Sequence, residues 1–347
     1  MRTPCPRGPG HWEWHRSPGS RSQGLPGESV IASVVMSRRL GILTFAIAPV
    51  GAIKQEWRWA EELGFDHAWI PDTWSIEGFF DLEAWTLLAA LAQVTSRLRV
   101  GTLVTTIIAR HPALLAAEAL TVDQLSEGRV ELGVGVGDRP ADCDVFGLPR
   151  WPPAERVARL EEHLILLDRL LRGESVTSQG VYYSVHGAQL AQPVQRPRPP
   201  LVVAAEGPRA LKLVARYADA WSTIGGQPPP VWAGGSGEEV TEVEALAATR
   251  SRVEQLDRYC VELGRDPVSV RRCVLAYRQA VDPLSSLDAF DHFVGSYAEL
   301  GIGEFVFYWP PIANLRERRE ISPHQRVAVE RIASARLAPP RTEEHKQ

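Results

Sequence analysis

The chain has 347 residues, 44% of them hydrophobic, and a formal net charge of −4 with acidic and basic residues interspersed. That is enough apolar material for a sizeable core. It argues against a nucleic-acid surface, which needs clustered positive charge, and against a membrane span, since no run of about 18 apolar residues exists. The four cysteines, Cys5, Cys143, Cys260 and Cys273, form no CxxC pair, so a reducing cytoplasmic location fits better than a disulfide framework.

Residues 1–36 are rich in Pro, Gly, Ser and Arg, show no period and lack the apolar core of a secretion signal. They read as a disordered extension or as a stretch upstream of a true start at Met36. The first strand is expected at Leu40–Thr44, followed by a helix over Ile53–Leu63 that stops at Gly64. A second strand, His67–Pro71, ends at Asp72; a helix follows near Leu82–Val94, then a third strand over Leu98–Val104. Pro112 suits a first helical turn, where a missing N–H costs nothing. Leu115, Ala119, Val122 and Leu125 then recur at helical spacing as one apolar face, and Gly128 marks the helix end. The fourth strand, Val130–Val136, runs into Gly137-Asp138. Leu160, Leu164, Leu167 and Leu171 make Ala154–Leu171 an amphipathic helix. An insert over residues 174–200 includes a hairpin around Gly180.

The fifth strand is Leu201–Ala205 and the sixth Ala218–Ile224, followed by a Pro/Gly-rich loop to Glu239, long enough to suggest function. A helix over Val240–Leu263, a seventh strand over Ser269–Tyr277, a helix over Ser286–Leu300 and an eighth strand over Glu304–Trp309 complete the series. Residues 336–347 read as a flexible tail. Eight strands alternating with helices predict a single (β/α)8 TIM barrel over 37–335, with an insert between strands four and five. The runner-up, an open doubly wound sheet, lacks a GxGxxG turn with an acid about 20 residues on.

Barrel chemistry sits at strand C-termini, which nominates Asp72 and Asp138 as acid/base candidates. Against those roles stand an Asp capping the next segment and a turn-forming Asp beside Arg139 and Pro140. The glycines of Gly135-Val136-Gly137 let a flat or anionic ligand approach the backbone. Ala205-Glu206-Gly207-Pro208 opens a helix and offers an anion site, to which Thr223 and Gly225 add hydroxyl and backbone donors. Glu206 is an awkward neighbour for a phosphate and is expected to point outward. His111, directly before Pro112, is read as a packing or capping residue, and Asp123 and Arg129 as a structural pair. The histidines form no metal set, with neither HxH nor HExxH, and there is no GxSxG.

The run from Arg110 to Asp138 carries an RHP opening, a T-x-D-x-L-S-x-G-R turn and an L-G-x-G-x-G strand end. It resembles the luciferase-like family of flavin- and deazaflavin-dependent oxidoreductases, and the resemblance extends over Ser37–Ala335. It implies a luciferase-like monooxygenase or oxidoreductase on a TIM barrel. It also implies a cis peptide between Leu103 and Val104 under the cofactor ring, with Thr105 beside it. Val136, Gly137 and Asp138 would contact the polyol tail and ring, and the phosphate would lie near Gly207 and Gly225. Family members often have Asp-His where this chain has Asp72-Thr73, so threonine stands at the acid/base position. The implied cofactor is coenzyme F420, with hydride transfer to or from a small organic molecule. The alternatives are an FMN-dependent monooxygenase using reduced flavin and oxygen, and a cofactor-binding protein without turnover. Members often form homodimers through their early helices, which the resemblance implies as a possibility for this chain.

Overall fold

Alternation of inward and outward side chains along short parallel strands organises the molecule. The computed structural model describes residues 38–47, 49–72, 74, 82–137, 139–228, 240–311, 314 and 320–337; the remainder, including both expected tails, lies outside the described residues. Among these, the strands are β1 (Arg39–Leu43), β2 (His67–Asp72), β3 (Arg99–Thr106), β4 (Val130–Gly135), β5 (Val176–Gln179), β6 (Ser184–Ala188), β7 (Leu201–Ala204), β8 (Ala220–Thr223), β9 (Arg271–Leu275) and β10 (Glu304–Tyr308). The helices are α1 (Val50–Leu63), α2 (Ala84–Ala92), α3 (Pro112–Leu125), α4 (Pro140–Val145), α5 (Pro153–Leu171), α6 (Pro208–Tyr217), α7 (Glu242–Glu262), α8 (Leu287–Ala298) and α9 (Pro323–Arg336). Eight strands close a barrel in the order β1-β10-β9-β8-β7-β4-β3-β2, every pair parallel. The expected (β/α)8 barrel is therefore the fold. The expected hairpin in the insert is the antiparallel pair β5–β6.

Outward residues of β4, namely Val130, Leu132 and Val134, pack with the helices in one continuous apolar layer. Leu160, Leu164, Leu167 and Leu171 of α5 are fully buried in it, each contributing about 1.5–3 kcal/mol by removal from water. Helix α1 ends as its sequence indicates: Gly64 has φ 91° and donates its N–H to Ala60 O and Glu61 O. Helix α3 departs in detail. Leu125 is exposed rather than part of the apolar face. The cap is Ser126, and Gly128, at φ 83°, donates back to Asp123 O at 2.9 Å. The helices α4 and α9 and a 3-10 turn over Pro267–Ser269 were not legible as periodic segments.

Inward residues form layers across the barrel. Leu43, Trp69, Leu103, Val202, Ala220, Cys273, Leu275 and Val306 fill its middle and upper part. The lower layer is ionic. Glu131 accepts from Arg39 (3.2 Å), Arg271 (2.7 Å) and Arg99, while Glu304 accepts from Arg39 (2.6 Å) and Arg271 (2.5 Å). Glu131 is fully buried, which disfavours its charge, but Arg271, Arg39 and Arg99 outweigh that and hold its carboxyl down at about 2. Asp123 and Arg129 are both structural, though not as a pair. Asp123 accepts from Val194 N and Gln195 N and Nε2, whereas Arg129 donates to the carbonyls of Ala92, Thr95, Leu98 and Ser126.

Candidate active site at the C-terminal mouth of the barrel

The upper end of the barrel is where the sequence placed the chemistry, and three groups of residues meet there. The first is a shelf. The Leu103–Val104 peptide is cis, as the resemblance implied, and the β3–β4 register shifts between Thr102 and Thr105. Val104 is only partly buried and packs, with Ile47, Tyr277 and Tyr308, over the interior cluster. The rings of Phe45 and Tyr308 stack at 5.8 Å with planes 7° apart. The result is an apolar and aromatic floor at the strand ends, suited to a flat ring.

The glycines of β4 serve this shelf. A Cβ on Gly133 would lie 1.9 Å from Thr102 O, and one on Gly135 would lie 2.8 Å from Val104 Cγ2. At φ 68°, Gly137 would bring a Cβ to 2.1 Å from Thr106 Oγ1. On the side where a Cβ would lie, the space these glycines leave is filled by Thr102, Val104, Thr106 and Ile108. Val136 is partly buried against the outer core, and Arg156 ties down Gly137 O at 2.7 Å.

The second group surrounds Asp72. Its carboxylate is 2% exposed and takes a two-pronged bond from Arg110, Nε to Oδ2 at 2.8 Å and Nη2 to Oδ1 at 3.3 Å. The register pairs Asp72 with Thr105, whose hydroxyl accepts from Trp85 Nε1 and donates to Thr102 Oγ1. Arg110 also binds Glu83 at 2.5 Å and Glu118 at 2.7 Å. One guanidinium therefore faces three carboxylates. Burial pushes Asp72 up despite Arg110. Burial likewise raises Glu118, to about 7, and its Oε2 is buried without a partner. Asp72 is locked to Arg110, a cation that lies 38 residues on and that local reasoning did not connect to it. His111 does cap α3, its Nδ1 accepting from Ala113 N at 3.2 Å, and its ring edge meets Tyr183.

The third group joins the ends of β7 and β8. Ala205 is buried and its carbonyl accepts from Trp221 Nε1 at 2.8 Å. Gly207 is the N-cap of α6, with no side-chain cap and open space where a Cβ would lie, and Pro208 is the first helical residue. Glu206 does not point outward. Its Oε1 accepts from Thr223 Oγ1 at 2.9 Å and from Ile224 N–H at 2.8 Å, and its Oε2 lies 2.8 Å from Arg252 Nη1. Gly225, at φ 67°, donates to Thr223 Oγ1, and its carbonyl accepts from Tyr297 Oη at 2.7 Å. Residues Ala205 to Pro208, Thr223 and Gly225 are thus one locus. Asp138, Thr73 and residues 229–239 of the Pro/Gly-rich loop lie outside the described residues. No group of three or more potential metal ligands occurs among the described residues, and no helix there is long and apolar enough to cross a membrane.

A closed parallel barrel whose mouth carries an aromatic shelf and a polar turn between neighbouring strands is a TIM barrel with its candidate site at the strand C-termini. The profile of the luciferase-like monooxygenase family matches residues 32–277, and the chain belongs to that family. It is 36% identical over 178 residues to an F420-dependent glucose-6-phosphate dehydrogenase of Microbacterium testaceum, covering 50% of this chain and 52% of the relative. The chain thus spans about half the length of that relative. A protein of the same name from Nakamurella multipartita is 30% identical, with 72% of this chain and 84% of the relative covered. In fold, the chain is similar to the coenzyme F420 dependent tetrahydromethanopterin reductase of Methanopyrus kandleri, with a TM-score of 0.68, 17% identity, and 87% and 98% of the two chains covered.

Proposed function

We propose that this protein is an F420-dependent oxidoreductase that passes a hydride to or from a small organic substrate. The observation that carries the reading is the kinship at 30–36% identity with proteins named as F420-dependent dehydrogenases, joined to a barrel mouth whose features suit that cofactor. The Val104–Tyr277–Tyr308 floor suits a planar tricyclic ring. The open Gly207 turn, Arg252 and Thr223 suit a phosphate, apart from the carboxylate of Glu206. When bound, the deazaflavin supplies the hydride chemistry. The chain's part is to seat the ring, exclude water from its lower face and manage protons at its edge. Asp72, ion-paired to Arg110 and pushed up by burial, is the first candidate for proton handling. Asp138, following β4, is the second candidate for proton handling.

The family's description as monooxygenases supports a second reading, an FMN enzyme using reduced flavin and oxygen. The two separate in one assay. With reduced F420 and a panel of carbonyl compounds, the proposed function predicts substrate-dependent return of the oxidised cofactor's absorbance with no oxygen uptake. Oxygen consumption with reduced FMN, and none of that signal with F420, would replace it by the monooxygenase. Exchange of Asp72 and Asp138 for asparagine should lower turnover at least tenfold; unchanged turnover in both variants would remove them from the chemistry.

A further inference from the structure

At the turn after β7 the awkward neighbour, Glu206, points inward onto the donors of a candidate anion site. Thr223 Oγ1, Ile224 N–H and the Arg252 guanidinium are a hydroxyl, a backbone donor and a cation converging at two adjacent strand ends, a donor set that suits an anion. In this chain that anion is the protein's own. Glu206 takes Thr223 at 2.9 Å and Ile224 N–H at 2.8 Å with one oxygen and faces Arg252 at 2.8 Å with the other. Arg252 is held in place by a further bond from Nε to Glu206 O at 3.2 Å, so the cation and the carboxylate form a closed ring with the backbone. Thr223 is buried, and no rotation of its hydroxyl serves two anions at once. A phosphate at this turn would meet the carboxylate as a like charge, in partly buried surroundings where repulsion is strong.

We propose that Glu206 is a built-in competitor for this cradle: a phosphate group binds at the β7–β8 turn only by displacing the carboxylate from Thr223, Ile224 and Arg252. The identity of the phosphate as part of F420 rests on the function proposed above; the displacement itself does not. The carboxylate sets the affinity for a phosphorylated cofactor and keeps free phosphate out. Partial burial pushes the Glu206 carboxyl up, which eases its neutralisation when an anion arrives.

The test uses the full chain, as wild type and as Glu206→Gln, which keeps the side chain's shape and removes its charge. Thermal unfolding is followed against inorganic phosphate at constant ionic strength, and F420 affinity is followed by fluorescence. Phosphate is expected to raise the Tm of Glu206→Gln and leave the wild type unmoved. F420 is expected to bind the variant at least tenfold more tightly. Adding Arg252→Met should abolish the phosphate response, which a general change in stability would not do. If Glu206→Gln does not fold, Glu206→Ala, which also removes the charge, carries the same expectations. Equal phosphate responses in wild type and variant overturn the proposal. Should F420 bind both proteins with one affinity while phosphate moves neither, the competitor falls and the cofactor reading stands. Should phosphate select the variant while F420 binds neither, the competitor stands and the cofactor reading falls.

Discussion

The two ends of the barrel treat buried charge in opposite ways. At the lower end three arginines, Arg39, Arg99 and Arg271, serve two carboxylates, Glu131 and Glu304. The network has cations to spare, and Glu131 is held down to about 2. At the mouth a single arginine, Arg110, serves Asp72, Glu83 and Glu118. Carboxylates are in excess there, Asp72 and Glu118 are pushed up, and across the mouth Glu206 occupies a cradle fit for another anion. Saturated charge is a structural device; unsaturated charge is what a site needs if it is to exchange protons or ligands. The two sets lie on different elements: the ionic layer on β1, β3, β4, β9 and β10, the mouth charges at the end of β2, around the starts of α2 and α3, and after β7.

This contrast predicts unequal costs. Glu131→Gln strands arginines without their central carboxylate, and loss of one partner from a buried network costs about 3–5 kcal/mol. Urea denaturation should show the largest loss here. Because Glu131 titrates lower in the folded protein than in the unfolded chain, its contribution is present above the unfolded value of about 4.5 and fades as pH falls through about 2. A variant as stable as the wild type at pH 7 would break the comparison from below. Arg110→Met should cost a similar or slightly smaller amount, about 3 kcal/mol, and the loss should deepen as pH rises and the three carboxylates ionise.

Glu118→Gln tests the excess of acid directly, with the opposite sign. A carboxyl raised to about 7 gives a folded state that binds more protons than the unfolded chain. Its stability is fully present below about 4.5 and lost as pH rises through 7. The amide variant should therefore match the wild type at pH 4 and exceed it by about 2 kcal/mol at pH 8. A flat difference across that range would show that Glu118 does not carry the excess. The smallest effect belongs to Gly207→Ala, where a Cβ meets open space at an extended φ of −100°. Its stability should change by less than about 0.5 kcal/mol while F420 affinity falls. The same exchange at Gly133, against Thr102 O, should prevent proper closure of β3 on β4.

Much of the architecture was legible because short apolar runs punctuated by helix stops map directly onto β/α units. Gly64 and the β5–β6 hairpin followed from local chemistry alone. The charge organisation did not, since it joins residues far apart in the chain: Glu131 meets Arg39 and Arg271, and Asp72 meets Arg110. A signal was nonetheless present. Arg39, Arg99 and Arg271 each begin a strand, Glu304 begins another and His67 a further one, so one turn of the barrel stacks them in a single layer. Glu131, Gly133 and Gly135 share one strand face, which placed the acid inside and the glycines against the bent segment of β3. The partner of Glu206 was beyond local reasoning, because a side chain beside a helix start has two directions open to it and only Thr223, Ile224 and Arg252 decide between them.

The central claim is that this mouth holds a deazaflavin. It is tested most directly by titrating the full chain with F420 and, separately, with FMN, following cofactor fluorescence. Saturable F420 binding is expected, at least tenfold tighter than FMN binding and weakened by replacing Val104 with a residue that roughens the shelf. Preferential binding of FMN, or no binding of F420, would contradict it.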